Sequence, residues 1–240
     1  MSLNSPTLIS QALLAGLSTQ MFRYYEDRIP RDGSVLVVSN HRSFMDAPIL
    51  MAALSNPIRF ACHHYMGQVP IMREIVTGQL GCFPLEEPQN RQQSFFVQSQ
   101  MLLQSRQMVG VFPEGAQPMV KFTVPNTVGE FQRGFAHLAL RADVEDLAIL
   151  PVAIASIEEV NTSGFPLRLL SLFDPSEPLF KQSGWHPLVV YRRVAVLIGR
   201  PYWITPQHQK TYHGKKARTV VAELTEYCHN EISDLLRQGW

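Results

Sequence analysis

A histidine and an aspartate stand five residues apart in Asn40-His41-Arg42-Ser43-Phe44-Met45-Asp46, directly after an apolar run, Ser34-Val35-Leu36-Val37-Val38-Ser39, that reads as a buried strand. An imidazole whose Nδ1–H is held by a carboxylate keeps Nε2 as a base near neutral pH, the group needed to take a proton from an alcohol. No nucleophilic serine or cysteine is then required. Five residues turn through about 140° on a helix, so the two side chains cannot share one helical face. The pair meets only if His41 precedes a helix that Asp46 opens, and Pro48 suits that helix's first turn, where backbone N–H groups lack partners. The ordinary alternative is that Asp46 only caps the helix and His41 is a loop histidine.

A second turn favours the chemical reading. Val111-Phe112-Pro113-Glu114-Gly115 ends another apolar run and bends sharply at Pro and Gly. Between and after the two lie Pro57-Ile58-Arg59-Phe60, Gly81-Cys82-Phe83-Pro84-Leu85, Phe131-Gln132-Arg133-Gly134-Phe135, Ile149-Leu150-Pro151-Val152 and Ile198-Gly199-Arg200-Pro201. In this order the motifs resemble the glycerolipid acyltransferase superfamily, typified by 1-acylglycerol-3-phosphate acyltransferase, over residues 30–202. The resemblance implies O-acylation of a lysophospholipid or other glycerolipid hydroxyl by an acyl thioester, either acyl-carrier protein or acyl-CoA. It makes His41 and Asp46 catalytic, with His41 the general base. It sets Glu114 and Gly115, with Gln117 and Arg133, on the acceptor side. The thioester is a co-substrate; no cofactor or metal is implied.

The chain departs from the family where phosphate charge is normally met. Ala116-Gln117-Pro118 follows Phe-Pro-Glu-Gly in place of Thr-Arg-Ser, and Glu86-Glu87 stands where an arginine commonly follows the second block. Arginine binds phosphate through a charged fork that neither glutamine nor glutamate can replace. Arg91, Lys121 and Arg133 are the nearby cations in sequence. A glycolipid or other uncharged acceptor therefore stands beside the lysophospholipid. Two further alternatives are an acyl thioesterase, in which water replaces the alcohol, and a lipid-binding protein without chemistry.

The elements that must carry these residues alternate in type. Strand-like runs fall at 34–39, 57–62, 81–85, 108–113 and 147–154, with helical segments at 46–54, 70–78, 91–107 and 130–142. This is an α/β pattern: one domain with a largely parallel or mixed sheet flanked by helices. Further strands are expected at 167–173 and 187–198, a flexible polar loop at 205–216 and a closing helix at 214–236. In such sheets ligands gather beyond the carboxyl ends of strands, so His41 and Glu114 can face one cleft.

Thr7 to Tyr25 carries Leu13, Leu14, Leu17, Met21 and Tyr25 at spacings near three and four, the mark of an amphipathic helix. Residues 1–30 are expected to form this helical segment and 31–240 the acyltransferase domain. The segment suits either core packing or a place in the membrane interface, and no run approaches the length of a membrane span or makes a convincing signal peptide. A chain of 240 residues with 45% hydrophobic and 17% charged residues can bury a sizeable core. Its net charge of +1 provides no long-range pull toward nucleic acid, and no nucleic-acid partner is expected. Three scattered cysteines without a C-x-x-C pair fit a reducing compartment. The expected setting is cytoplasmic and peripheral to a membrane surface. His63-His64, adjacent on a strand, would point to opposite faces and make a poor metal pair.

Overall fold

The computed structural model describes residues 5–62, 66, 73–87, 89–115, 123–166 and 184–239. Its centre is strand β2 (Ser34–Ser39), every residue of which is buried. Strands β6 (Leu147–Pro166) and β5 (Met108–Val111) pair with it in parallel on either edge. A strand paired on both edges and covered on both faces needs apolar residues throughout, and Val35-Leu36-Val37-Val38 supplies them. Beyond β5 come β3 (Ile58–Cys62) and β4 (Phe83–Pro84), both parallel. Beyond β6 the direction changes. Strand β7 (Trp185–Ile198) runs antiparallel to β6, and β1 (Gln20–Tyr24) lies parallel to β7. The short β8 (Tyr202–Trp203) pairs with the start of β6. The sheet is thus mixed, with a parallel centre, as expected.

Alternation along β2 divides the core. Leu36 and Val38 join the cluster under helices α3 (Arg91–Gln104), α4 (Gly134–Arg141) and α6 (Gly214–Gln238), where Leu103, Phe135, Leu138 and Ile232 are buried. Val35 and Val37 face the other cluster, under α1 (Pro6–Gly16) and α2 (Asp46–Leu54). Helix α2 is buried nearly all round, from Asp46 to Leu54, and ends at Ser55 in the left-handed conformation. The cysteines are free, and burial pushes Cys62 up to about 12 and Cys82 up to about 11, so both act as small hydrophobes.

Three expectations are corrected. The N-terminal helix stops at Gly16 rather than reaching Tyr25: Ser18 takes a left-handed conformation, and 20–24 becomes an edge strand on β7. The apolar spacing continues past Gly16 because Met21 also packs inward, from a strand, whereas Tyr25 is exposed. Leu14 and Ser10 are buried against α2, while Leu8 and Leu13 face outward. The polar stretch at 205–216 is not a plain loop but contains helix α5 (Pro206–Thr211). There Thr205 Oγ1 accepts the His208 N–H and His208 Nδ1 accepts the Thr205 N–H, a reciprocal cap that uses histidine. Strand β6 runs to Pro166, well beyond 154, because β7 continues to pair with it there. The strand expected at 167–173 lies outside the described residues. The helix expected at 70–78 is described from Arg73 to Gln79, as a wider π-type turn.

Candidate active site

Strands β2 and β5 are neighbours and parallel, so the turns after them emerge side by side. The first turn begins with Asn40, whose amide takes over the sheet's hydrogen bonding where β2 ends. Its Oδ1 accepts the Ile154 N–H at 2.8 Å and its Nδ2 donates to the Ile154 carbonyl at 2.9 Å. Asn126 repeats the device two residues further along β6, on Ser156. Buried strand-edge groups are thereby satisfied while the chain turns away.

His41 follows, and Asp46 opens α2 as the spacing required. Three donors converge on Oδ2 of the carboxylate, and the Tyr191 phenol also bonds Asp46. His41 Nδ1 donates at 2.8 Å, the Arg42 N–H at 2.7 Å and the Ser43 N–H at 2.8 Å. Asp46 is 1% exposed. An ionised carboxylate only accepts, so Nδ1 carries the hydrogen and Nε2 is left as the basic ring atom. Asp46 therefore both orients the ring and closes the turn before the helix, but it does not cap α2, whose N-cap is Met45. Ser43 Oγ donates to the Val189 carbonyl at 2.6 Å and accepts the Met45 N–H, pinning the turn to β7.

The second turn comes to the same histidine. Phe112 stacks on the His41 ring with centroids 4.2 Å apart and planes at 14°, and Phe60 of β3 stacks on the far side of Phe112 at 4.9 Å. Glu114 Oε1 accepts the His41 main-chain N–H at 3.0 Å, and Oε2 accepts the Gly129 N–H at 2.8 Å. Burial pushes the Glu114 carboxyl above its ordinary range, although these two N–H groups pull against it. Gly115 has φ +70°, and a Cβ there would lie 2.7 Å from Gln132 Nε2.

Arg42 is the buried cation of the site. Its guanidinium forks onto Glu159, NH1 to Oε2 at 2.7 Å and NH2 to Oε1 at 3.0 Å, and it also donates to the Thr123 hydroxyl and carbonyl. Burial works against both charges. The mutual bond prevails, raising the Arg42 pKa and, with Ser156 and Asn161, lowering that of Glu159. The antiparallel register of β6 and β7 places Glu159 opposite Tyr191, and the irregularity at Glu158 leaves the pairing on either side of it in step. Tyr191 is 1% exposed, and burial followed by the Asp46 charge holds its phenol well above the ordinary range.

Of the expected site residues, His41, Asp46 and Glu114 are brought together, with Gly115 on the same turn. Gln117 and Lys121 lie outside the described residues. Arg133 is exposed at the N-cap of α4. After burial, its charge and that of Arg141 lower the His137 pKa. Glu86 and Glu87 are exposed. Sequence reasoning missed Asn40, Arg42 and Phe112, although they lie inside the motifs, and Gly129, Glu159 and Tyr191, which no spacing marks.

A parallel-centred sheet with a carboxylate-held imidazole at the end of its central strand defines a class. The family model described as Acyltransferase matches residues 22–155. The chain belongs to the acyltransferase family, within the glycerolipid acyltransferase superfamily that its motifs resemble. Its fold is similar to that in the crystal structure of the 1-acyl-sn-glycerophosphate (LPA) acyltransferase PlsC from Thermotoga maritima. The match has a TM-score of 0.61 at 16% identity and covers 97% of this chain and 77% of that one. No curated protein matches the chain by sequence.

Proposed function

We propose that the protein transfers a fatty acyl group from an acyl thioester to a hydroxyl of a lysophospholipid or related glycerolipid, with His41 as general base. The observation that carries this reading is the His41 Nδ1–H held at 2.8 Å by a buried carboxylate. Nε2 takes the hydroxyl proton as the alcohol oxygen attacks the thioester carbonyl. Asp46 stabilises the imidazolium so formed. The tetrahedral intermediate then expels the thiolate, which receives the proton from Nε2, giving an ester and a free thiol. A base placed in this way contributes about 10²–10⁴ in rate.

The acceptor reading favours a lysophospholipid through the family, with Gln117 in place of the usual arginine leaving a glycolipid as the competitor. Work at a bilayer surface is part of the proposal. It is supported by the outward Leu8 and Leu13 of α1 and by the exposed Phe44 inside the motif turn. Among the described residues no helix is long and apolar enough to cross a membrane.

The test supplies purified protein with radiolabelled acyl-CoA or acyl-carrier protein on vesicles containing lysophosphatidic acid, another lysophospholipid or a glycolipid. The expected result is a labelled acyl ester that His41→Ala abolishes while the circular dichroism spectrum is kept. Release of labelled fatty acid that no acceptor suppresses would instead identify a thioesterase.

A further inference from the structure

Glu114 belongs to the turn that family resemblance assigns to the acceptor, yet its carboxylate is occupied. It is 9% exposed, and both oxygens receive main-chain N–H groups, one from His41 and one from Gly129. The two donors come from segments far apart in sequence, the turn after β2 and the loop before α4. A Cβ on Gly129 would lie 2.9 Å from Oε2, so the absence of a side chain there lets the loop close on the carboxylate. On the same turn, the Gly115 N–H bonds the Phe112 carbonyl, so the residue that stacks on the imidazole and the residue that holds its main chain are fixed to each other.

A carboxylate placed to bind an acceptor would stand open to the cleft. Glu114 instead is buried and takes the His41 N–H on one oxygen and the Gly129 N–H on the other. Burial disfavours its ionisation, and the Gly129 and His41 N–H groups oppose that effect. From these contacts we infer that Glu114 is a positioning residue that sets the main chain of His41, and does not bind the acceptor.

The consequence is a division of labour around one histidine. Asp46 holds the ring edge through Nδ1, Phe112 holds the ring face, and Glu114 holds the peptide from which the side chain springs. With all three in place the ring has little rotational freedom left, which is what a base needs if Nε2 is to meet the acceptor hydroxyl in one geometry.

This inference rests on His41 being the base, and the experiment separates the two. Glu114→Gln keeps shape but presents one N–H donor with another donor. We expect kcat to fall about 10- to 100-fold, the loss typical of one hydrogen bond to a charged group, with the acceptor KM changed less than about twofold. Thermal unfolding on the same preparation checks that the variant is folded. Gly129→Ala, which crowds the carboxylate from outside, should show the same split more weakly. A rise of tenfold or more in acceptor KM with kcat retained would overturn the positioning role and restore acceptor binding, and unchanged kinetics would overturn it as well. His41→Ala distinguishes the failures. If that variant transfers acyl groups at the wild-type rate, the base assignment falls and this inference with it. If it is inactive while Glu114→Gln alters only KM, the base stands and the positioning role alone is lost.

Discussion

Asp46→Asn removes a charge from the site while leaving nearly every atom in place. Three donors to the carboxylate fall on Oδ2, so an asparagine can set its single carbonyl oxygen there and still accept from His41 Nδ1, Arg42 N and Ser43 N. What it cannot supply is a negative charge opposite the imidazolium that forms as the hydroxyl proton leaves. With the charge centres about 4 Å apart and an effective dielectric near 20, that attraction is roughly 4 kcal/mol. The neutral hydrogen bond retains part of it, so kcat should fall by about 10²–10³. The assay is steady-state acyl transfer on acceptor-containing vesicles, with thermal unfolding measured on the same preparation. Unfolding should move little for Asp46→Asn and substantially for Asp46→Ala, which strips the turn of its common acceptor. A folded Asp46→Asn protein that keeps kcat within about fivefold would refute the reasoning, because the imidazolium would then need no counter-charge.

Other consequences follow from the same contacts. Gly110→Ala would bring a Cβ within 2.1 Å of the Phe60 ring, so the Phe60–Phe112–His41 stack must shift. Overpacking of this kind costs about 1–3 kcal/mol, and both a lower melting temperature and a lower kcat are expected, although Gly110 touches no substrate; unchanged kcat would separate the stack from catalysis. Arg42→Met leaves the half-buried Glu159 without its main partner and should destabilise by about 1–3 kcal/mol in urea unfolding, with much of the loss recovered in Arg42→Met/Glu159→Leu. The same pair sets a pH dependence. Because the Glu159 pKa is lowered in the folded protein, its contribution to stability is fully present above the ordinary glutamate pKa and is lost as pH falls through the lowered value. The difference in melting temperature between wild type and Glu159→Gln should therefore be constant near neutrality and shrink in acid. A difference that instead grew in acid would contradict the assignment.

The spacing of His41 and Asp46 was enough to place one before a helix and the other at its start, because helical geometry forbids any other meeting of side chains five residues apart. The apolar runs 34–39 and 147–154 announced buried strands by composition, and the F-P-E-G turn announced a second loop at a strand end. Local chemistry also misled, and for a physical reason: Met21 packs inward from an edge strand, and its spacing merges with the helical stripe of α1. What the sequence by itself determined is which residues could act and where β2, the strand that carries the base, must end. That Glu114 meets His41, that Phe112 stacks on it and that Arg42 is spent on Glu159 required the parallel pairing of β2 with β5 and β6, and the antiparallel register that sets Glu159 opposite Tyr191. These contacts join residues 71 to 117 positions apart. Nothing in the local pattern of either partner encodes such a distance, since it is the sheet's register that converts separation along the chain into contact.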